Sequence, residues 1–143
     1  MNLFVYGTLM IPEIWHQLTR ENNPRDKASL DGFFRSKLKG EVYPGIYKKK
    51  GRSVDGMIYY DLSPSAAKKL DMFEGERYRR VKVRVDVNGK SVQAETYALS
   101  ENFHKLITDE EWNFEEFIRS GSEHFKNNYF GFRIIADLNT RKT

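Results

Sequence analysis

The sequence predicts an α+β fold: a small, mostly antiparallel β-barrel with flanking α-helices, forming one domain over residues 1–143. Three observations predict it. Several segments read as strands, with β-branched or aromatic residues at period two, and they outnumber the helical stretches. The links between them are mostly short, which makes neighbouring strands antiparallel. Aromatic residues make up 14% of a chain that is only 39% hydrophobic, so large rings rather than many aliphatics fill the core.

Met1–Tyr6 reads as the first strand and Gly7–Ile11 as the loop after it. Pro12 suits a first helical turn, and Ile14, Trp15 and Leu18 form a short apolar stripe. Glu21–Lys27 is polar and reads as a loop. Leu30–Lys39 carries Phe33, Phe34 and Leu38 and reads as a strand with a bulge at Gly32. Tyr43–Tyr47 contains Pro44, which cannot donate to a ladder, and so reads as a turn or a broken edge strand. Lys48–Arg52 reads as an exposed hairpin tip.

Val54–Leu62 is a strand with Val54, Gly56, Ile58, Tyr60 and Leu62 on one face. Gly56 in its middle points to close approach by another backbone or a ligand. Ser63-Pro64 starts a helix that runs through Ala66, Ala67 and Leu70 to about Phe73, with Gly75 as its stop. Arg79–Val87 places four valines on one face and Lys82, Arg84 and Asp86 on the other. Asn88-Gly89 is a type I′ turn signal, and Val92–Leu99 returns as the partner strand, with Glu95 placed to pair with the basic face. Asn102–Thr108 reads as a connection. Thr108…Glu111 and Asn113…Glu116 both have capping-box spacing, and one of them starts a last helix with Phe114, Phe117, Ile118 and Phe125. Gly121 weakens that helix, Phe130–Phe132 ends it, Ile134–Leu138 forms a short strand or apolar tail, and Asn139–Thr143 frays.

Composition removes several kinds of chemistry. There is no cysteine, which excludes disulfides, a thiol nucleophile and thiolate-ligated metals. His16, His104 and His124 have no metal-ligand spacing. GxSxG, GxGxxG and Walker-type phosphate loops are absent. The N-terminus has no signal-peptide pattern, and no window nears the roughly 18 apolar residues of a membrane span, so a soluble cytoplasmic protein is expected. Net charge is +4, which favours solubility and some attraction for anions. Nucleic-acid binding through Lys48–Arg52 and Arg77–Arg84 would need those groups on one face, and the interspersed acids argue against it.

Two stretches carry a positive signal. In Phe4–Leu9 a strand breaks at Gly7 toward a helix, exposing successive N–H groups that can hold an anion. In Leu70–Arg80 a helix stops beside Asp71 and Glu74, and a basic, tyrosine-containing strand begins. The helix dipole and burial beside Phe73 would both raise the pKa of Glu74, as a proton shuttle requires. Spacing alone favours a plainer role, an exposed helix-end residue paired with Arg77 or Arg79. Asp71 likewise reads as a surface partner of Lys68 or a loop-capping acceptor. Glu76 is a rival carboxylate, read as a surface partner of a neighbouring arginine.

Taken together, Phe4-Val5-Tyr6-Gly7-Thr8-Leu9, Tyr43-Pro44-Gly45-Ile46, Gly56, Leu70-Asp71, Phe73-Glu74-Gly75, Tyr78 and Arg80 resemble the gamma-glutamylcyclotransferase-like, or AIG2-like, family. Trp112…Glu116-Phe117 is similar to the C-terminal helix of its AIG2-like branch. The resemblance spans nearly the whole chain. It implies a barrel with a cavity at one end and a cofactor-free, metal-free reaction. In that reaction the α-amino group of a γ-glutamyl amine or γ-glutamyl amino acid attacks its own γ-carbonyl, releasing 5-oxoproline and a free amine. Small γ-glutamyl amines, or γ-glutamyl-ε-lysine, fit the AIG2-like branch best. By motif, Glu74 matches the general base and acid. The backbone of Gly7, Thr8 and Leu9 matches the cradle of the substrate carboxylate, and Tyr6, Tyr43 and Tyr78 complete the binding set. Strand parity sets Tyr78 and Arg80 outward with Lys82 and Arg84, so Tyr78 reaches a cavity only if the chain bulges or twists between Glu76 and Val81. The alternative reading is a non-catalytic protein that binds a small carboxylate in the same cavity.

Overall fold

The computed structural model describes residues 1–120. Among these residues six strands form one sheet: β1 (Leu3–Val5), β2 (Arg25–Leu38), β3 (Pro44–Tyr59), β4 (Tyr78–Val87), β5 (Lys90–Leu99) and β6 (Ile107–Glu111). Their order is β3-β1-β5-β4-β2-β6, and β2 also pairs with β3. The first five strands therefore close into a barrel, and β6 extends it from the edge of β2. The ladders are antiparallel except where β1 meets β5 in parallel, Leu3 opposite Glu95.

Among the described residues three α-helices flank the barrel: α1 (Pro12–Thr19), α2 (Pro64–Glu74) and α3 (Phe114–Ser120). Each starts or stops where local chemistry dictates. Pro12 opens α1. The Ser63 hydroxyl accepts the Ala66 N–H at 3.1 Å, capping α2. Gly75, at φ +69°, ends it. Asn113 Oδ1 accepts the Glu116 N–H at 2.8 Å, so of the two capping-box spacings this one starts α3. The parts of the expected last helix and tail beyond Ser120, including Gly121, Phe125, Phe130–Phe132, Ile134–Leu138 and Asn139–Thr143, lie outside the described residues.

β1 is buried on both faces and organises two cores. Phe4 and Tyr6 point into the barrel with Leu30, Phe33, Ile46, Val54, Ile58 and Val85. Leu3 and Val5 face the helices with Ile14, Trp15, Leu18, Leu70 and Phe73. Tyr59 belongs to this second core, stacked on Trp15 at 3.7 Å between ring centroids. Gly56 is the close approach expected of it. A Cβ there would fall on the Val5 carbonyl oxygen and 2.8 Å from Phe4 Cζ.

Several expectations are corrected. The polar loop ends early, because Arg25–Lys27 already pair with Met57–Tyr59 in the β2–β3 ladder. Tyr43–Tyr47 is no broken edge: from Pro44 onward it is ladder, at the start of a long strand in which Pro44 faces Lys37. Lys48–Arg52 is exposed as expected but is not a hairpin tip. It is an outward bulge of β3, where the register jumps between Asp31 opposite Ser53 and Phe33 opposite Lys48. The ring of Phe34 draws Lys49 and Arg52 across it, at 5.0 and 4.4 Å from the centroid. The turn joining β2 to β3 lies instead around Gly40 (φ +74°). The Asn102–Thr108 connection is a 3₁₀ turn, Glu101–Leu106, leading into β6. Thr108 does not start a helix, because β6 pairs with β2, Ser36 opposite Glu111 and Leu38 opposite Ile107. Val54–Leu62 ends as a strand at Tyr59, and Asp61 turns the chain at φ +59°. No helix among the described residues is long and apolar enough to cross a membrane.

Candidate active site

A pocket opens at the end of the barrel where β1 stops and α2 ends. It is lined by Phe4 to Leu9, Tyr43, Pro44, Phe73, Glu74, Tyr78 and Tyr97. Every residue that the sequence singled out for the site is therefore brought to one place. The free space inside is about 30 Å³, room for one small polar group.

The first wall is the chain after β1. It tightens into a 3₁₀ turn at Thr8–Met10, with Met10 N–H on Gly7 O at 3.0 Å and Ile11 N–H on Thr8 O at 3.1 Å. In such a turn the N–H groups at its start have no carbonyl partner within it. Gly7 is required by closeness: a Cβ there would lie 3.1 Å from Pro44 Cγ. Arg35 braces this wall from behind, donating to Tyr6 O at 2.9 Å and Asp55 O at 3.0 Å, its guanidinium 5.5 Å from the Trp112 ring centre.

The opposite wall is the end of α2. Glu74 is its last residue, half-buried, beside the fully buried Phe73. Its pKa is raised from an ordinary 4.5 to about 8, first by loss of water around the carboxyl and second by the negative charge of Asp71. Glu74 is thus half-buried in the pocket wall rather than exposed. Arg77 Nη1 meets Glu41 Oε1 at 2.6 Å and the Tyr43 hydroxyl, and Arg79 is exposed. Asp71 does not serve Lys68 or a loop. Its Oδ1 accepts from Tyr97 Oη at 2.6 Å, and its Oδ2 lies 3.5 Å from Arg80 Nη2. Glu76 is exposed.

The tyrosines build the remaining sides. Tyr78 is buried, and its hydroxyl donates to Pro44 O at 2.6 Å, pinning the start of β3 to the pocket. No bulge delivers it, since the β4–β5 register is regular from Tyr78–Leu99 to Val87–Lys90. Strand parity holds: Tyr78 packs with Tyr97 and Leu99 in the core under the helices, on the face opposite Val85 and Val87, which point into the barrel. Arg80 is half-buried, does not line the pocket, and reaches Asp71 and Glu95. That ion pair replaces the expected one between Glu95 and Lys82 or Arg84. Arg84 donates to the Ser91 hydroxyl at 2.9 Å. Tyr6 donates its hydroxyl to Tyr97 O. Burial and neighbouring carboxylates push the hydroxyls of Tyr43 and Tyr97 well above the ordinary value of 10.0, so both stay protonated near neutrality.

Sequence reasoning missed Pro44 and Tyr97 as pocket walls and Arg35 as a brace. For Tyr97 a signal existed. The Asn88-Gly89 turn fixes the hairpin register and sets Tyr97 directly opposite Arg80, in the strand pair that leads to Tyr78.

Residues 3–114 match the family model described as gamma-glutamyl cyclotransferase, AIG2-like. The chain belongs to this gamma-glutamyl cyclotransferase, AIG2-like family. It is 34% identical over 126 residues to AIG2-like protein C of Arabidopsis thaliana, covering 87% of this chain and 73% of that relative. It is similar to the solution structure of another Arabidopsis thaliana protein, with 30% identity and a TM-score of 0.69 over 97% of this chain and 83% of that one. It also resembles the crystal structure of an AIG2-like protein from Mus musculus, at 26% identity and a TM-score of 0.59, covering 78% and 87% of the two chains. The barrel of this AIG2-like chain is the fold of its structural neighbours, and the family supports a cyclotransferase type of function and a small-molecule substrate.

Proposed function

We propose that the protein is a cyclotransferase that releases 5-oxoproline from γ-glutamyl amines, or from γ-glutamyl amino acids. One observation carries this reading: Glu74, with its raised pKa, lines the same small pocket as the Gly7–Leu9 turn. A carboxyl that titrates near 8 can accept a proton and return it within one turnover.

The substrate α-carboxylate lies on the backbone of Gly7, Thr8 and Leu9, with Tyr6, Tyr43 and Tyr78 shaping the space around it. Ionised Glu74 takes a proton from the α-ammonium. The freed nitrogen attacks the γ-carbonyl carbon and forms the ring bond. When the tetrahedral intermediate collapses, the bond from the γ-carbon to the leaving nitrogen breaks. The proton on Glu74 goes to that nitrogen and the neutral amine departs. The ring nitrogen, which still carries two hydrogens, passes its second proton to the freed Glu74 carboxylate and leaves as the neutral lactam of 5-oxoproline. Glu74 then gives this proton to solvent or to the departing amine. Folding the substrate so that its own amine faces its own carbonyl supplies much of the acceleration, because the attack is intramolecular. Tyr43, half-buried next to the exposed Val42, is the wall residue nearest the surface turn.

The test is product analysis. The protein is incubated with γ-glutamyl-ε-lysine, small γ-glutamyl amines and γ-glutamyl-α-amino acids, and 5-oxoproline and free amine are quantified. Equimolar release of both from at least one substrate is expected. Binding of these compounds without release from any of them would favour the carboxylate-binding alternative and refute the enzyme.

A further inference from the structure

The last turns of α2 carry a second carboxylate, at Asp71, that is partly exposed yet tied into the pocket's back wall. Asp71 stands three residues before Glu74, so the two occupy one face of the helix, about 5–6 Å apart at Cβ. An untethered surface aspartate would rotate freely and be screened. This one is held at both oxygens, Oδ1 accepting from Tyr97 Oη at 2.6 Å and Oδ2 at 3.5 Å from Arg80 Nη2. Tyr97 is itself buried, lines the pocket with Glu74, and receives the Tyr6 hydroxyl at its carbonyl.

The charged and titratable groups around this pair come from every neighbouring element. β5 contributes Tyr97 and Glu95, and β4 contributes Tyr78 and Arg80. The chain after β1 contributes Tyr6, and the β2–β3 turn contributes Tyr43, whose hydroxyl engages Arg77 and through it Glu41. Arg80 is held between Asp71 and Glu95, whose Oε1 lies 3.8 Å from Arg80 Nε. One cation thus serves two carboxylates, and the local balance near Glu74 stays negative.

We propose that Asp71 is a positioning residue for Glu74: pinned by Tyr97 and Arg80, it holds a fixed negative charge against the Glu74 carboxyl and sets the pH at which that carboxyl gains and loses its proton. Its catalytic meaning rests on the reading of Glu74 as base and acid given above. The raised pKa of Glu74, for which the Asp71 charge is the second cause after burial, is in line with it. Asp71 touches no substrate in this scheme. Its effect is on the pH range of the reaction, and the arrangement supplies two substitutions of opposite sign.

The experiment is a carboxyl titration by NMR on glutamate 13C-labelled protein, with the Glu74 resonance assigned by its loss in Glu74→Gln. Asp71→Asn keeps an oxygen that can accept from Tyr97 but removes the charge, and should lower the Glu74 midpoint by about 0.5–1 pH unit. Arg80→Met removes the cation that offsets Asp71, and should raise it. A scaffold role for Asp71 would disturb folding or turnover without moving the two midpoints in opposite directions. An unchanged midpoint in Asp71→Asn overturns the proposal, and if that variant fails to fold, an unmoved or lowered midpoint in Arg80→Met does so. The titration needs no substrate, so its outcome separates from that of the enzyme reading. Shifted midpoints in a protein that releases no 5-oxoproline would sink the cyclotransferase and leave Asp71 in place. Turnover with unmoved midpoints would do the reverse.

Discussion

Replacing Glu74 with glutamine should change how stability depends on pH. The folded-state pKa of Glu74 is about 8 against an ordinary 4.5. Between those values the folded protein binds a proton that the unfolded chain has released. Stability therefore falls as pH rises through this window. The full difference of about 3.5 pH units corresponds to about 5 kcal/mol at about 1.4 kcal/mol each. Because the residue is half-buried rather than sealed, about 2–3 kcal/mol is the expected size. A glutamine side chain carries no charge at any pH, so Glu74→Gln should gain stability over wild type steadily from about pH 4.5 and level off above about pH 8. Urea unfolding of both proteins at closely spaced pH values from about 5 to about 9 reads the difference directly, and every other titrating group cancels in the subtraction. Stability curves that run parallel across this range would refute the claim that the Glu74 carboxyl is stripped of water.

Three other substitutions probe the scaffold around the site. Gly56→Ala should destabilise by about 3 kcal/mol, because the added methyl meets the Val5 carbonyl oxygen and the Phe4 ring on the neighbouring strand, and an unchanged melting temperature would contradict the close approach. Tyr78→Phe removes the bond of 2.6 Å to Pro44 O and should cost about 1 kcal/mol in urea unfolding while raising KM for the best substrate, since β3 is no longer tied to the pocket. Ser63→Ala removes the cap of α2 and its contact with Glu21 and should cost about 1 kcal/mol, measured by thermal denaturation, with equal stability counting against the cap.

The barrel was legible because its signals are local. Asn88-Gly89 needs positive φ at both residues, and both have it, at +52° and +83°. Ser63-Pro64 and Gly75 mark the two ends of α2 by chemistry that operates within a few residues. The errors arose where a residue's own preference disagrees with the ladder it joins. Pro44 reads as a break because it cannot donate, yet it is accommodated at the start of β3, where its carbonyl is the group put to use, accepting from Tyr78. Lys48–Arg52 reads as a tip because it is basic and contains a glycine, yet the bulge opposite Gly32 leaves those side chains equally exposed. β6 escaped notice because Asp109, Glu110 and Glu111 are exposed edge residues with no apolar face to betray them.

The site was half legible. The family motif pointed to Glu74, against spacing alone, and to Gly7–Leu9, and both line the pocket. Simple parity put Tyr78 on the face opposite the valines, and it lies there, but this face is buried at that end in the core under the helices rather than open to solvent. Asp71 was misread for a related reason. Its two partners, Tyr97 and Arg80, stand opposite each other on β5 and β4, on that same covered face.

The central claim is that Glu74 moves the proton in a cyclisation that releases 5-oxoproline. The most direct measurement is the initial rate of 5-oxoproline formation from the best substrate in the γ-glutamyl panel, compared between wild type and Glu74→Gln under identical saturating conditions. The account predicts a loss in kcat of about 100-fold or more, as expected for removal of a general base and acid, with the variant still binding substrate. A Glu74→Gln protein that forms 5-oxoproline at the wild-type rate would contradict it.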